Sequence, residues 1–206
     1  MIRLRQEGAL WIVTIDRQDR ANSLTRGMLE ELDGIIADAG AGDVRALVLT
    51  GAGKVFSAGA DLDEARAGLA RDPVWERLSG RIAGLGCLTI AALNGTLAGG
   101  AMGMALACDL RIAVAGARVF YPVMRLGFLP QPSDPARLAA LVGPARAAMI
   151  LMAAEKIAVE EAREWGLIDR VVPAPEALMS LARALAEAPL AAPDGHVAAI
   201  KAMIPR

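Results

Sequence analysis

Two runs of small residues carry the clearest chemical potential in this 206-residue chain. The first, "VFSAGADLDE" at 55–64, places Ser57, Ala58, Gly59 and Ala60 just after a strand-like stretch and follows them with Asp61, Asp63 and Glu64. The second, "LAGGAMG" at 97–103, precedes an apolar helical run. Backbone N–H groups are strong donors, and residues without bulky side chains let a ligand come close to them. Two such turns facing each other offer one amide each to a single carbonyl oxygen, which makes an oxyanion hole. The same residues suit tight strand–helix packing equally well, so composition leaves both roles open. Phosphate-loop readings are weaker. "GAGKV" (51–55) has no Ser or Thr after Lys54, and "GGAMG" (99–103) lacks the acidic residue closing a second strand that dinucleotide recognition needs.

The elements that must position these turns are legible in the apolar periodicity. "LWIVTID" (10–16) and "RALVLTG" (45–51) predict strands, and "TRGMLEELDGIIADA" (25–39) sets Met28, Leu29, Leu32, Ile35 and Ile36 at helical spacing. A helix around 73–85, a strand in "CLTIAAL" (87–93) and another in "LRIAVAG" (110–116) continue the alternation. That order predicts an α/β fold with strands covered by helices. From Pro135 the pattern turns helical, with "LIDRVVP" (167–173) as an extended interruption and one more short helix that ends at Pro205. The expectation is a single domain over 1–206, with a core over about 1–134 and a helical C-terminal region over about 135–206.

Composition narrows the function classes. A formal net charge of −1 and 3% aromatic residues argue against a nucleic-acid partner. There is no apolar run long enough for a membrane helix, and the N-terminus lacks the apolar core of a signal peptide, so a cytoplasmic location is expected. Cys87 and Cys108 have neither CxxC nor zinc-site spacing and read as small buried hydrophobes. No metal site is expected.

Five segments, in order across nearly the whole chain, resemble the enoyl-CoA hydratase/isomerase (crotonase) family: "DRQDRANSLT" (16–25), "ALVLTGAGKVFSAGADL" (46–62), "AALNGTLAGGAMGMALACDLRIA" (91–113), "RLGFLPQ" (125–131) and "AREWGLIDRVV" (162–172). The resemblance implies a crotonase-like (ClpP/crotonase) α/β fold of repeated ββα units, here with a shortened C-terminal helical region, assembled as a homotrimer or dimer of trimers. It implies an acyl-CoA thioester as substrate and no cofactor beyond the CoA moiety. By the same resemblance the thioester oxygen accepts from the amides of Ala60 and Gly100. Arg20, Ala21, Ala58, Asp61 and Leu62 fall where relatives hold CoA, with Arg17, Arg20 and Lys201 as candidates for its phosphates. An isolated Arg or Lys serves as readily as a solvated surface charge.

Two positions depart from the family pattern. The glutamates with which a hydratase activates water correspond here to Gly103 and Val123, and neither residue transfers protons. Ordinary hydration is therefore not expected. Substitute acid/base candidates are Tyr121 and Asp134, with Gln131, Ser133, Asp63 and Glu64 nearby in sequence. "SDPAR" also fits Asp134 as a helix N-cap ahead of a proline, and the cap is the favoured reading. His196, the one histidine, follows Pro193 and Gly195 and is read as a surface or interface residue. Two functions remain: an enzyme that stabilises a thioester enolate, decarboxylation of a malonyl-type thioester being compatible with a site lacking a base, or a catalytically silent acyl-CoA-binding or assembly partner.

Overall fold

A computed structural model describes residues 1–204. The chain opens with an antiparallel hairpin, β1 (Ile2–Glu7) and β2 (Leu10–Ile15), and helix α1 (Arg26–Ala41), whose N-cap Thr25 accepts from Met28 N at 3.3 Å. Strands β3 (Ala46–Gly51) and β4 (Val55–Ser57) lead into α2 (Leu62–Arg66) and α3 (Val74–Gly84). Next come β5 (Leu88–Leu93), β6 (Thr96–Ala98) and α4 (Ala101–Ala107), then β7 (Leu110–Val114), β8 (Arg118–Phe120) and α5 (Val123–Leu126). The remainder is α6 (Asp134–Val142), α7 (Pro144–Leu151), β9 (Ile157–Ala158), α8 (Val159–Glu164), β10 (Arg170–Val172), α9 (Pro175–Ala191) and α10 (His196–Met203).

The repeat is a ββα unit whose two strands belong to different sheets. The first strands of each unit, β3, β5 and β7, pair in parallel within a six-stranded sheet of order β1-β2-β3-β5-β7-β10. The second strands, β4, β6 and β8, form a four-stranded sheet of order β4-β6-β8-β9. Each β–β connection therefore crosses from one sheet to the other. Asn94 ties two of them: its Oδ1 accepts from Gly51 N at 3.0 Å and its Nδ2 donates to Gly53 O at 2.9 Å. These bonds give the glycines around Lys54 a structural role in the β3–β4 turn rather than one in a phosphate loop.

The central strands are near-continuous apolar runs because both faces of the sheet are covered. All six residues of β3 are buried. One hydrophobic cluster runs from Ile2 to Ala186. The two cysteines belong to it, and burial pushes the thiol of Cys87 up to about 11 and that of Cys108 up to about 12. Both are inert packing residues at neutral pH.

Strand β9, which was not expected, closes the small sheet beside β8, whereas the extended stretch expected at 167–173 contains β10, which extends the large sheet beside β7. The β-branched pair Val171 and Val172 suits that open sheet position. Helix α9 runs past Pro189 to Ala191, with the Arg45 guanidinium donating to Leu190 O and Ala192 O at its end. The last helix ends at Met203; the stop expected at Pro205 lies outside the described residues.

Candidate active site

The first turn is built on the segment between β2 and α1. Asn22 donates through Nδ2 to Ala52 O at 2.9 Å and Val55 O at 2.6 Å, and its own carbonyl accepts from Ser57 Oγ at 2.8 Å. Ala58 N donates to Ala21 O, Leu24 N to Gly59 O, and Asp61 N to Leu24 O. Leu24 and Ala60 thus form a parallel bridge in which residues 59 and 61 make the bonds. Strand alternation then turns the N–H of Ala60 to the opposite side, where it meets no protein acceptor among the described residues.

The second turn follows β6. Gly99 N donates to Phe120 O at 3.2 Å, while the N–H of Gly100, the residue before α4, meets no protein acceptor among the described residues, as the first amides of a helix do. The two turns are in direct contact. A Cβ on Gly59 would lie 2.9 Å from Ala98 O and 3.1 Å from Gly100 N, and one on Gly99 would lie 3.4 Å from Ala58 O. Gly59 and Gly99 also have φ of +91° and +59°, so backbone shape favours glycine at both and proximity adds to it at Gly59.

The same cavity is lined by Ala58, Ala60, Gly99, Gly100, Tyr121 and Gln131. Its wall is otherwise apolar, with Leu62, Trp75, Val123, Leu126, Phe128 and Leu129, and no carboxylate among the described residues lines it. Trp75 was not singled out from sequence. Its indole lies against Gly100, whose hypothetical Cβ would sit 3.1 Å from the ring, and its Nε1 donates to Leu69 O at 2.9 Å. Only its apolar place on a helix was legible; its approach to Gly100 is a tertiary event.

The three acids after the first turn organise α2. Asp61 Oδ1 accepts from Asp63 N at 3.1 Å and Glu64 N at 3.4 Å, while its Oδ2 pairs with Arg17 at 2.8 Å. The Arg17 guanidinium, followed by these backbone amides, holds the Asp61 carboxyl below its ordinary range. Arg17 also donates to Ser23 O and Oγ, so its head group is engaged within the chain rather than free for phosphate. Asp63 pairs with Arg66, and Glu64 accepts from Arg26 N at 2.7 Å. Arg20 and Ala21 are exposed on the adjoining turn, next to the exposed Ala58 and Leu62.

Lys201 lies elsewhere: its Nζ donates to Cys87 O and to Asp109 Oδ2, both at 2.7 Å, clamping α10 to the start of β5. His196 is exposed at the start of that helix. Among the described residues no cluster of His, Cys, Asp or Glu has the makings of a metal site, and no helix is long and apolar enough to cross a membrane.

Asp134 overturns the capping expectation. Its carboxylate makes no cap bond; Ser133 precedes α6, and Glu76 of α3 accepts from both Ser133 N and Ser133 Oγ. Asp134 is instead fully buried, its Oδ2 accepting from the Tyr121 hydroxyl at 2.9 Å and its Oδ1 having no hydrogen-bond partner. A Cβ on Gly103 would sit 2.8 Å from that Oδ1. The Asp134 carboxylate thus occupies the space into which a side chain at 103 would begin to grow. Burial raises the Asp134 carboxyl to about 6, opposed by the Tyr121 hydrogen bond and by Arg137. Burial and the neighbouring Asp134 raise the Tyr121 phenol well above its ordinary value, so it is protonated at neutral pH.

A family model described as enoyl-CoA hydratase/isomerase matches residues 5–206. The short-chain-enoyl-CoA hydratase of Clostridium acetobutylicum is 36% identical over 194 residues, covering 89% of this chain and 72% of that protein. The mevalonyl-coenzyme A hydratase of Beauveria bassiana is 37% identical over 182 residues, covering 79% of this chain and 63% of that one. Among solved structures, the enoyl-CoA hydratase of Bacillus anthracis superposes with a TM-score of 0.90 at 32% identity, over 98% of this chain and 81% of its own.

Proposed function

As the chain belongs to the enoyl-CoA hydratase/isomerase family, we propose that it processes acyl-CoA thioesters by stabilising a thioester enolate between the amides of Ala60 and Gly100. The observation that carries this is the pair of N–H groups that meet no protein acceptor among the described residues, on two abutting turns that line one largely apolar cavity. When the α-carbon loses a proton or a carboxylate, negative charge builds on the thioester oxygen. Fixed donors in an apolar wall favour that state over the neutral thioester and need no reorganisation. Each such donor is worth about 3 kcal/mol of barrier. The exposed Arg20, Ala21, Ala58 and Leu62, with the backbone of Asp61, form the approach assigned to CoA.

Ordinary hydration finds little support, since Gly103 and Val123 replace both water-activating acids and no carboxylate among the described residues lines the cavity. Reactions that generate or shift an enolate without activating water suit the site better: a 3-enoyl to 2-enoyl shift, or loss of CO2 from a malonyl-type thioester. The same two replacements favour the alternative, a silent acyl-CoA-binding or assembly partner.

Mass-spectrometric turnover of crotonyl-CoA, a 3-enoyl-CoA, malonyl-CoA and methylmalonyl-CoA tests the reading. Gly100→Pro removes the N–H and crowds Trp75; Gly100→Ala crowds Trp75 but keeps the N–H. The expected result is product from the wild type, a loss of about a hundredfold or more in Gly100→Pro and a much smaller one in Gly100→Ala. Binding of these thioesters with zero turnover would establish the silent role instead.

A further inference from the structure

We propose that Tyr121 and Asp134 form a proton relay into the cavity, with Tyr121 as the group that meets the substrate and Asp134 behind it as the group that holds the proton. This rests on the two-amide reading of the same site. Tyr121 lines the cavity together with Ala60 and Gly100, whereas Asp134 does not reach it. The Tyr121 phenol links the two, at 2.9 Å from Asp134 Oδ2. Gln131 N approaches the phenol oxygen at 3.4 Å, which keeps the ring's hydroxyl hydrogen directed at the carboxylate.

The packing explains why the acid sits on α6. A side chain at 103 on α4 would begin 2.8 Å from Asp134 Oδ1, so a larger residue there requires the Asp134 carboxylate to shift. Asp134 fills that volume from the opposite helix. It is buried without a partner for Oδ1, an arrangement that costs stability and carries no capping benefit in return. Groups bearing on its charge are Tyr121 at the end of β8, Glu76 on α3 and Arg137 on α6. Burial dominates and raises the carboxyl to about 6, which improves it as a base at neutral pH.

The relay balances for a 3-enoyl to 2-enoyl shift. The α-carbon–hydrogen bond breaks, its proton passes to the Tyr121 oxygen, and the phenol's own proton passes to Asp134 Oδ2. The electron pair moves onto the thioester oxygen as a dienolate held by the amides of Ala60 and Gly100. In return Asp134 gives its proton to the Tyr121 oxygen, Tyr121 delivers one to the γ-carbon, and the dienolate collapses to the conjugated thioester. A single acid suffices because the proton removed is replaced.

The test is conversion of 3-hexenoyl-CoA to 2-hexenoyl-CoA by the purified chain between pH 5 and 8, with Asp134→Asn, Tyr121→Phe and Gly100→Pro. The ionised carboxylate is the active form, so kcat/KM is expected to rise with pH through about 6 and then level. Asp134→Asn and Tyr121→Phe should each lower kcat by about a hundredfold or more with KM changed little. A flat profile through pH 6, or undiminished conversion by either relay variant, overturns the relay. Conversion that survives Gly100→Pro but not Asp134→Asn overturns the two-amide reading and keeps the relay. No conversion by the wild type overturns the relay, while the two-amide reading then stands or falls on the malonyl-CoA and methylmalonyl-CoA assays. The wild-type pH profile stands even if a variant fails to fold.

Discussion

Gly103→Ala adds one carbon at a point where 2.8 Å separates it from Asp134 Oδ1 and 3.2 Å from Oδ2. Both residues are buried, and the Tyr121 hydrogen bond prevents the carboxylate from swinging aside without losing its partner. Overpacking of this kind costs about 1–3 kcal/mol. Alanine within α4 gains about 1 kcal/mol of helix propensity over glycine, so the net destabilisation is about 0–2 kcal/mol. A double-mutant cycle with Asp134→Ala separates the terms, since propensity appears on both arms and cancels. In the Asp134→Ala background the added methyl should stabilise by up to about 1 kcal/mol, which makes the coupling about 1–3 kcal/mol. Urea denaturation of the four proteins measures it. Coupling below about 0.5 kcal/mol, or stabilisation by Gly103→Ala in the wild-type background, would refute the claim that Asp134 occupies the space over Gly103.

Two further outcomes follow from the charges. Asp134 has a folded-state value raised to about 6, so the folded protein binds a proton more tightly than the unfolded chain, and this group's contribution to stability falls as pH rises from 4 to 6. Asp134→Asn should remove that fall and, by about 3 kcal/mol, exceed the wild type in stability at pH 8; urea titrations in which the two proteins change stability equally between pH 4.5 and 8 would contradict it. Lys201→Met removes a charged donor that meets Asp109 Oδ2 and Cys87 O, and should cost about 1–3 kcal/mol and speed amide exchange in α10 first. Unchanged exchange there would show that the clamp does not hold the helix.

Asp134 meets two opposed demands. A carboxylate held at about 6 lowers stability at neutral pH and is a better base there, which is the trade commonly met where a site needs a group the fold would rather neutralise. The raised value arises mainly from burial, and burial also removed the local capping role that the "SDPAR" pattern predicted.

The order of strands and helices was legible because it rests on periodicity within a few residues: the apolar β3 and β5, the helical spacing of α1, the small residues at 58–60 and 99–103. The turns that carry Ala60 and Gly100 were legible from that order and the family resemblance, since a backbone turn depends on only a few neighbouring residues. Pairings across the fold were not. Nothing within "SDPAR" says that Asp134 turns inward to Tyr121 and Gly103, and nothing near Lys201 says that it meets Asp109, 92 residues away, instead of a phosphate. Arg17 likewise spends its charge on Asp61, and Trp75 finds Gly100 only when α3 packs against α4. Local patterns determine which backbone shapes form; long-range packing decides which side chains are enclosed together, and it is enclosure that sets their charge, their partners and their chemistry.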